Sequence, residues 1–194
     1  MGGTFDPIHY GHLVTAEEAL VQFNLDGVVF MPTGAPARKT HQVVTSAEHR
    51  YLMTVIATAS NPDFTVSRLE VDRPGITYTV DTVLALRDAH GPEAELFFIT
   101  GADAVLDIVT WKDSERLVDA CTFIAATRPG HDLAAFDSLP IPAGLRVERM
   151  EVTALAISST DIRSRMASRR PVRYLLPEAV ASYARKNRLY GKGD

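Results

Sequence analysis

Gly2-Gly3-Thr4-Phe5-Asp6-Pro7-Ile8-His9-Tyr10-Gly11-His12 stands at the start of the chain, and its reading decides the fold. Two glycines and a threonine offer pliable backbone, open amides and one hydroxyl, and Asp6-Pro7 sets a turn. From Tyr10 or Gly11 onward the residues become helical: His12, Leu13, Ala16, Ala19, Leu20 and Phe23 fall on one face. A loop that delivers backbone N–H groups to a helix N-terminus favours an anion, because the helix dipole is positive there. His9 and His12, three residues apart, can face one anion from the loop and the first turn, with Gly11 leaving room between them. Alone, a Gly-Gly pair is a turn and two such histidines could be surface residues or metal ligands. Their combination in one loop-to-helix unit points to a phosphate grip.

Working outward, strand-like runs recur at Val28 to Met31, Thr65 to Val71, Leu96 to Thr100, Thr122 to Ala126 and Arg146 to Val152. Helical patterns separate most of them. Thr45 with Glu48 reads as a capping box ahead of a helix over Tyr51 to Ala59, and further helices fit Val80 to Arg87, Glu115 to Asp119, Asp161 to Ala167 and Pro177 to Lys186. Strands alternating with helices imply right-handed crossovers and a doubly wound α/β fold with a mainly parallel sheet, whose ligands lie at the carboxyl ends of the strands. Arg128 to Gly144 has neither period and reads as a long connection. With 194 residues and 46% hydrophobic content, a single domain over residues 1–194 is expected.

The formal net charge of −4 provides no basic surface for long nucleic acid, and small anionic substrates fit it better. No apolar run approaches the roughly 18 residues of a membrane span and no leader is evident, so neither membrane nor secretion is expected and the cytoplasm is the expected compartment. Cys121 is the only cysteine and lies in a strand-like run, which excludes an intrachain disulfide and a cysteine metal cluster. Self-association is left open.

Near the far end, Ile157-Ser158-Ser159-Thr160-Asp161-Ile162-Arg163 offers Ser159 or Thr160 as a helix cap and Arg163 in the first turn, where a guanidinium can reach the anion that the helix amides face. Taken alone, this is also the pattern of an ordinary cap with a solvated arginine. Asp103, just past a strand end, can accept both hydroxyls of a ribose or cap the short helix that follows. Trp111, the only tryptophan, can stack on a flat ring or sit in the core.

Gly2 to His12 resembles the HxGH nucleotidylyltransferase signature, and in full the chain resembles the bacterial nicotinate-mononucleotide adenylyltransferases. Ile157 to Arg163 is similar to that family's ISSTxIR element, Pro32 to Lys39 to its PxxxPPHK-like loop, Tyr78-Thr79 and Thr110-Trp111 to its pyridine-site elements, and Gly101-Ala102-Asp103 to its GxD ribose contact; Arg128-Pro129-Gly130 and Leu176-Pro177-Glu178 also correspond. The resemblance implies a Rossmann-like fold and transfer of AMP from ATP to nicotinate mononucleotide, giving nicotinate adenine dinucleotide and pyrophosphate. It implies ATP contacts at Gly2, Gly3, Thr4, Phe5, Gly101, Asp103, Ile157, Ser158, Ser159 and Thr160. His9, His12, Lys39 and Arg163 carry the catalytic roles: His12 on a nonbridging α-phosphate oxygen, His9 orienting the phosphates, Lys39 and Arg163 neutralising the leaving pyrophosphate. Backbone amides near Thr79 and Lys112 take the nicotinate carboxylate, and Trp111 stacks on the ring. Magnesium is expected on the triphosphate, held by phosphate oxygens and water, with no protein metal ligand.

The chain departs from that pattern at Ala37-Arg38, where Pro-His is usual, and at its beginning. Family members carry a strand ahead of the Gly-Gly pair in the middle of the sheet, of which only the last residue is left here; a start set downstream of the true one, or a shortened chain, is the expectation. Rival readings are a phosphopantetheine adenylyltransferase or a cytidylyltransferase of the same superfamily, and a non-catalytic ATP-binding sensor.

Overall fold

The structure, a computed structural model, describes residues 1–36, 44–127, 144–153 and 155–191. The expected connection over Arg128 to Gly144 lies almost wholly outside them, as do Arg38 and Lys39. Chain order is β1 (Gly2–Gly3), α1 (Tyr10–Gln22), β2 (Val28–Pro32), β3 (Ala35–Pro36), α2 (Ala47–Thr58), β4 (Phe64–Val66), β5 (Ile76–Thr77), α3 (Thr79–His90), β6 (Phe97–Gly101), α4 (Ala102–Leu106), two 3-10 turns at Ile108–Thr110 and Ser114–Leu117, β7 (Thr122–Thr127), β8 (Val147–Glu151), α5 (Ser159–Ala167) and α6 (Glu178–Lys186).

Every strand pairing is parallel, as the strand–helix alternation requires. The sheet is not continuous, however. β1-β2-β4 form one group, β6-β7-β8 a second, and β3-β5 a short ladder that no periodicity announced. The reason lies at β1, which has two residues and pairs only with the end of β2, Gly2 opposite Met31 and Gly3 opposite Pro32. Between β2 and β6 lies a cleft of about 1010 Å³, with Val28, Val29 and Met31 on one wall and Leu96 to Thr100 on the other.

Two apolar clusters match this division. One gathers Ile8, Ala16, Ala19, Phe30, Met53, Ile124, Ile162, Val180 and Ala184, so that α1, α2, α5 and α6 cover the first strands and part of β7. The other gathers Val80, Val83, Val105, Ile108, Leu117 and Phe123 under α3 and α4. α1 and α3 fall where the apolar spacing places them, and the α6 helix follows Pro177, whose fixed φ suits a helix start.

Four local expectations are corrected. The strand expected over Thr65 to Val71 ends at Val66, because Arg68 bonds Asp72 and Glu48 and the Arg68 carbonyl accepts the Asp72 N–H, turning the chain. The helix expected from Tyr51 starts at Ala47, capped by Ser46, whose hydroxyl accepts the His49 N–H; Thr45 is not the cap. Glu115 to Asp119 is not an α-helix: a 3-10 turn over Ser114–Leu117 stands there, entered through Asp113 at φ 49°. α5 is capped by Ser158, whose hydroxyl accepts the Asp161 N–H, rather than by Ser159 or Thr160.

Candidate active site

The glycine-bearing loop runs from β1 to α1. Gly3 is required by its own neighbour, since a Cβ there would stand 2.7 Å from the Phe5 ring. Phe5 adopts φ 49°, a left-handed conformation that costs a side-chain-bearing residue on the order of 1 kcal/mol, and the Asp6–Pro7 bond is cis. Such a conformation persists only where surroundings enforce it. Here they do: Phe5 is 2% exposed, and its ring meets Phe30 and the edge of His12, centroids 5.8 and 5.1 Å away.

His9 is the N-cap residue of α1 and buried, and its ring stacks on His12 with centroids 3.7 Å apart and planes 25° from parallel. The expected juxtaposition of the two histidines is therefore real. The His9 main-chain N–H donates to His12 Nδ1 at 3.2 Å, so a neutral His12 ring carries its proton on Nε2, the donor that a phosphate oxygen needs. Gly11 leaves the space expected of it, because a Cβ there would lie 3.0 Å from His9 Nδ1.

The far end of the chain closes on this loop. Arg163 donates from Nη1 to the Asp6 carbonyl at 2.7 Å and from Nη2 to the Thr160 hydroxyl at 3.3 Å, while the Ser159 hydroxyl donates to the Pro7 carbonyl at 2.9 Å. Ile157 joins them, its carbonyl 3.9 Å from the ideal Cβ position of Gly11. Ser158, Ser159, Thr160 and Arg163 thus open α5 against the loop that leads into the N-terminus of α1.

Three residues that the sequence reading passed over complete this end. Asp6, 5% exposed, accepts the Tyr190 hydroxyl at 2.6 Å and the Thr45 N–H at 3.2 Å. Burial, and next the Asp6 hydrogen bond, push the Tyr190 phenol far above its ordinary 10.0, so it stays a donor. Arg50, 1% exposed, donates to the carbonyls of Thr45, Thr4 and Gly34, each at 2.8 Å. A signal for Arg50 existed: with Met53, Thr54 and Ala57 it keeps helical spacing, a charge on the buried stripe of α2.

The acceptor candidates Thr79, Trp111 and Lys112 line the cleft together with Tyr78, Thr77 and Glu70. Trp111 is half-buried and meets Phe98 and Phe123 edge-on, so it belongs to the second apolar cluster and to the cleft wall at once. Its Nε1 has no hydrogen-bond partner among the described residues. Lys112 Nζ sits 4.3 Å from the centre of the Tyr78 ring. Glu70 is buried and accepts the Thr82 hydroxyl at 2.8 Å; burial pushes its carboxyl above the ordinary 4.5, opposed in part by Thr82, Thr77 and the Gly34 backbone.

Gly101 and Asp103 are exposed at the end of β6 and the first turn of α4; the cleft takes their neighbours Thr100 and Ala104 instead. Gly2, Gly3 and Thr4 also line the cleft. Among the described residues, no group of three His, Cys, Asp or Glu could hold a metal ion, and no helix is long and apolar enough to cross a membrane.

The profile of the cytidylyltransferase-like family matches residues 1–165. A relative from Moorella thermoacetica, named "Probable nicotinate-nucleotide adenylyltransferase", is 57% identical over 98% of this chain and 89% of its own length. A relative of the same name from Streptomyces coelicolor is 57% identical over 98% of each chain. The solved structure of Plasmodium falciparum nicotinic acid mononucleotide adenylyltransferase complexed with NaAD superposes with a TM-score of 0.77 at 22% identity, covering 97% of this chain and 94% of that one, which supports the Rossmann-like α/β fold. The chain belongs to the cytidylyltransferase-like family and, within it, to the nicotinate-nucleotide adenylyltransferases.

Proposed function

We propose that the protein is an adenylyltransferase that moves AMP from ATP to nicotinate mononucleotide. The observation that carries this reading is the closure of Arg163 and Ser159 onto the Asp6 and Pro7 carbonyls, which holds the start of the far-end helix against the loop that carries the stacked histidines, an arrangement suited to an anion. A phosphate oxygen of nicotinate mononucleotide attacks the α-phosphorus of ATP in line. The bond from that phosphorus to the α,β-bridging oxygen breaks, pyrophosphate leaves with the electron pair, and nicotinate adenine dinucleotide remains. No covalent enzyme intermediate is needed; positioning and charge stabilisation suffice.

In this reading His12 Nε2 donates to a nonbridging α-phosphate oxygen, His9 holds the His12 ring by stacking, and Arg163 neutralises the departing pyrophosphate with Lys39. Main-chain amides of Gly3 to Phe5 cradle the nucleotide phosphates, and the ribose is assigned to Gly101 and Asp103, exposed just outside the cleft lining, on the family resemblance alone. The chemistry of the described donors, imidazole, guanidinium, hydroxyl and amide, suits phosphate rather than a bare divalent cation, so magnesium would be held by phosphate oxygens and water, where it would add positive charge to the departing group. At the other end of the cleft Trp111 faces the pyridine ring, and amides near Thr79 and Lys112 take its carboxylate.

Pyrophosphate release is measured with ATP and each of nicotinate mononucleotide, nicotinamide mononucleotide, phosphopantetheine and choline phosphate, the last with CTP as well. Release with nicotinate mononucleotide far above the others is expected. Preference for another acceptor moves the protein to that chemistry, and silence with all of them makes it a nucleotide sensor.

A further inference from the structure

Arg50 is unusual in what it bonds. A buried guanidinium ordinarily meets a carboxylate, yet its three hydrogen bonds go to main-chain carbonyls from three separate segments: Thr4 in the glycine-bearing loop, Gly34 after β2, and Thr45 before α2. Only the planar fork of an arginine presents donors in three such directions; a lysine ammonium on its flexible stem does not. Burial lowers the Arg50 pKa, and the nearby Asp6 carboxylate, with Tyr190 and Glu70, opposes that only in part.

The bond to Thr4 matters most. In a trans peptide the carbonyl and the next N–H point in opposite directions, so Arg50 Nη1 on the Thr4 oxygen turns the Phe5 N–H away from Arg50. The residue so held is Phe5, at φ 49°, the strained point of the loop. We infer that Arg50 is a positioning residue for adenylyl transfer, one that locks the Thr4–Phe5 peptide with its N–H presented to the nucleotide phosphates. This rests on the adenylyltransferase reading. Arg50 touches no substrate. It acts through a backbone donor whose direction it sets, and donors aimed in advance at developing charge are worth most in the transition state.

Three measurements separate this from a purely structural role. Steady-state kinetics are taken for wild type, Arg50→Lys and Arg50→Gln, each well below its own melting temperature. Arg50→Lys keeps the charge and part of the bonding; it is expected to fold, to lose tenfold or more in kcat, and to change KM for nicotinate mononucleotide by far less than kcat, since Arg50 bonds the Thr4 carbonyl directly and reaches the Glu70 side of the cleft only through Gly34. Arg50→Gln is expected to lose more. In wild type, titration with α,β-methylene-ATP is expected to shift the Phe5 amide resonance strongly, a readout that needs no variant to fold. Unchanged kcat in a folded Arg50→Lys, or a Phe5 amide indifferent to the nucleotide, overturns the inference. Wild type without turnover on any acceptor sinks the adenylyltransferase reading itself.

Discussion

The two ends of the cleft rest on buried ionisable groups of opposite kind. Under the end proposed for the phosphates lies Arg50, a cation holding three carbonyls; at the end proposed for the acceptor lies Glu70, an acid whose burial favours the neutral form. They meet at Gly34, whose carbonyl accepts Arg50 Nη2 and whose backbone also bonds the Glu70 side chain. The phosphate end is tied by direct hydrogen bonds from residues far away in sequence, Arg163, Ser159 and Tyr190. The acceptor end is held by ring edges and by Lys112 over Tyr78. The first arrangement fixes donors before substrate arrives, and the second offers surface. Substitutions at the phosphate end should therefore lower turnover, and those at the acceptor end should weaken binding.

The largest break in that contrast is expected from His12→Ala. Removing the Nε2 donor should lower kcat a hundredfold or more, on the order of 3 kcal/mol of transition-state stabilisation, with KM for nicotinate mononucleotide little changed. His12→Ala also removes the acceptor of the His9 N–H and the ring stacked on His9, so a loss of about 1 kcal/mol in stability is expected beside the larger loss in turnover, and rates are compared well below the melting temperature. Near-normal turnover would remove His12 from the mechanism.

Gly34→Ala attacks the point where the two ends meet. A Cβ at Gly34 would collide with the Glu70 carbonyl, and backbone cannot move aside as a side chain can. A loss of about 2 kcal/mol in folding stability is expected from urea unfolding, with kcat and KM both impaired because both supports are displaced. A variant as stable as wild type would show that the contact relaxes freely.

Much of the end proposed for the phosphates was legible in the sequence because local chemistry builds it: glycines where Cβ atoms collide, histidines at helix spacing, and a hydroxyl-rich helix start before Arg163, although the cap itself is Ser158 and not the expected Ser159 or Thr160. The acceptor end was legible mainly through resemblance, since a tryptophan reads equally as core, and Trp111 is both core and cleft wall. What stayed hidden depends on contacts across long sequence separations. Nothing local tells that Tyr190 reaches Asp6 or that Glu70 lies against Gly34, and the break in the sheet at β1 follows from pairings that periodicity does not specify. Arg50 was visible as a misplaced charge on an apolar stripe, but its three carbonyls were not.

At the acceptor end, Trp111→Leu should raise KM for nicotinate mononucleotide about tenfold through lost stacking, roughly 1.4 kcal/mol, and leave kcat within a few-fold. Its effect on stability should be modest, because the substitution also removes a buried Nε1 donor with no partner among the described residues. Trp111→Phe keeps a ring against Phe98 and Phe123 and should restore most of the affinity. An unchanged KM in Trp111→Leu would leave the ring as core alone and locate the acceptor elsewhere.

The smallest expected effect isolates the buried acid. Because burial raises the Glu70 carboxyl above its ordinary 4.5, the folded protein keeps this proton where the unfolded chain has released it. The contribution of Glu70 to stability is thus fully present below the unfolded pKa and is lost as pH rises through the folded one. Glu70→Gln has nothing to release there. Urea midpoints compared from about pH 4 to about pH 7 should fall less steeply for Glu70→Gln than for wild type, and the Thr82 hydroxyl can still donate to the amide oxygen. Parallel pH profiles would mean that Glu70 ionises in the fold as readily as in the unfolded chain, and that its burial does not hold it neutral.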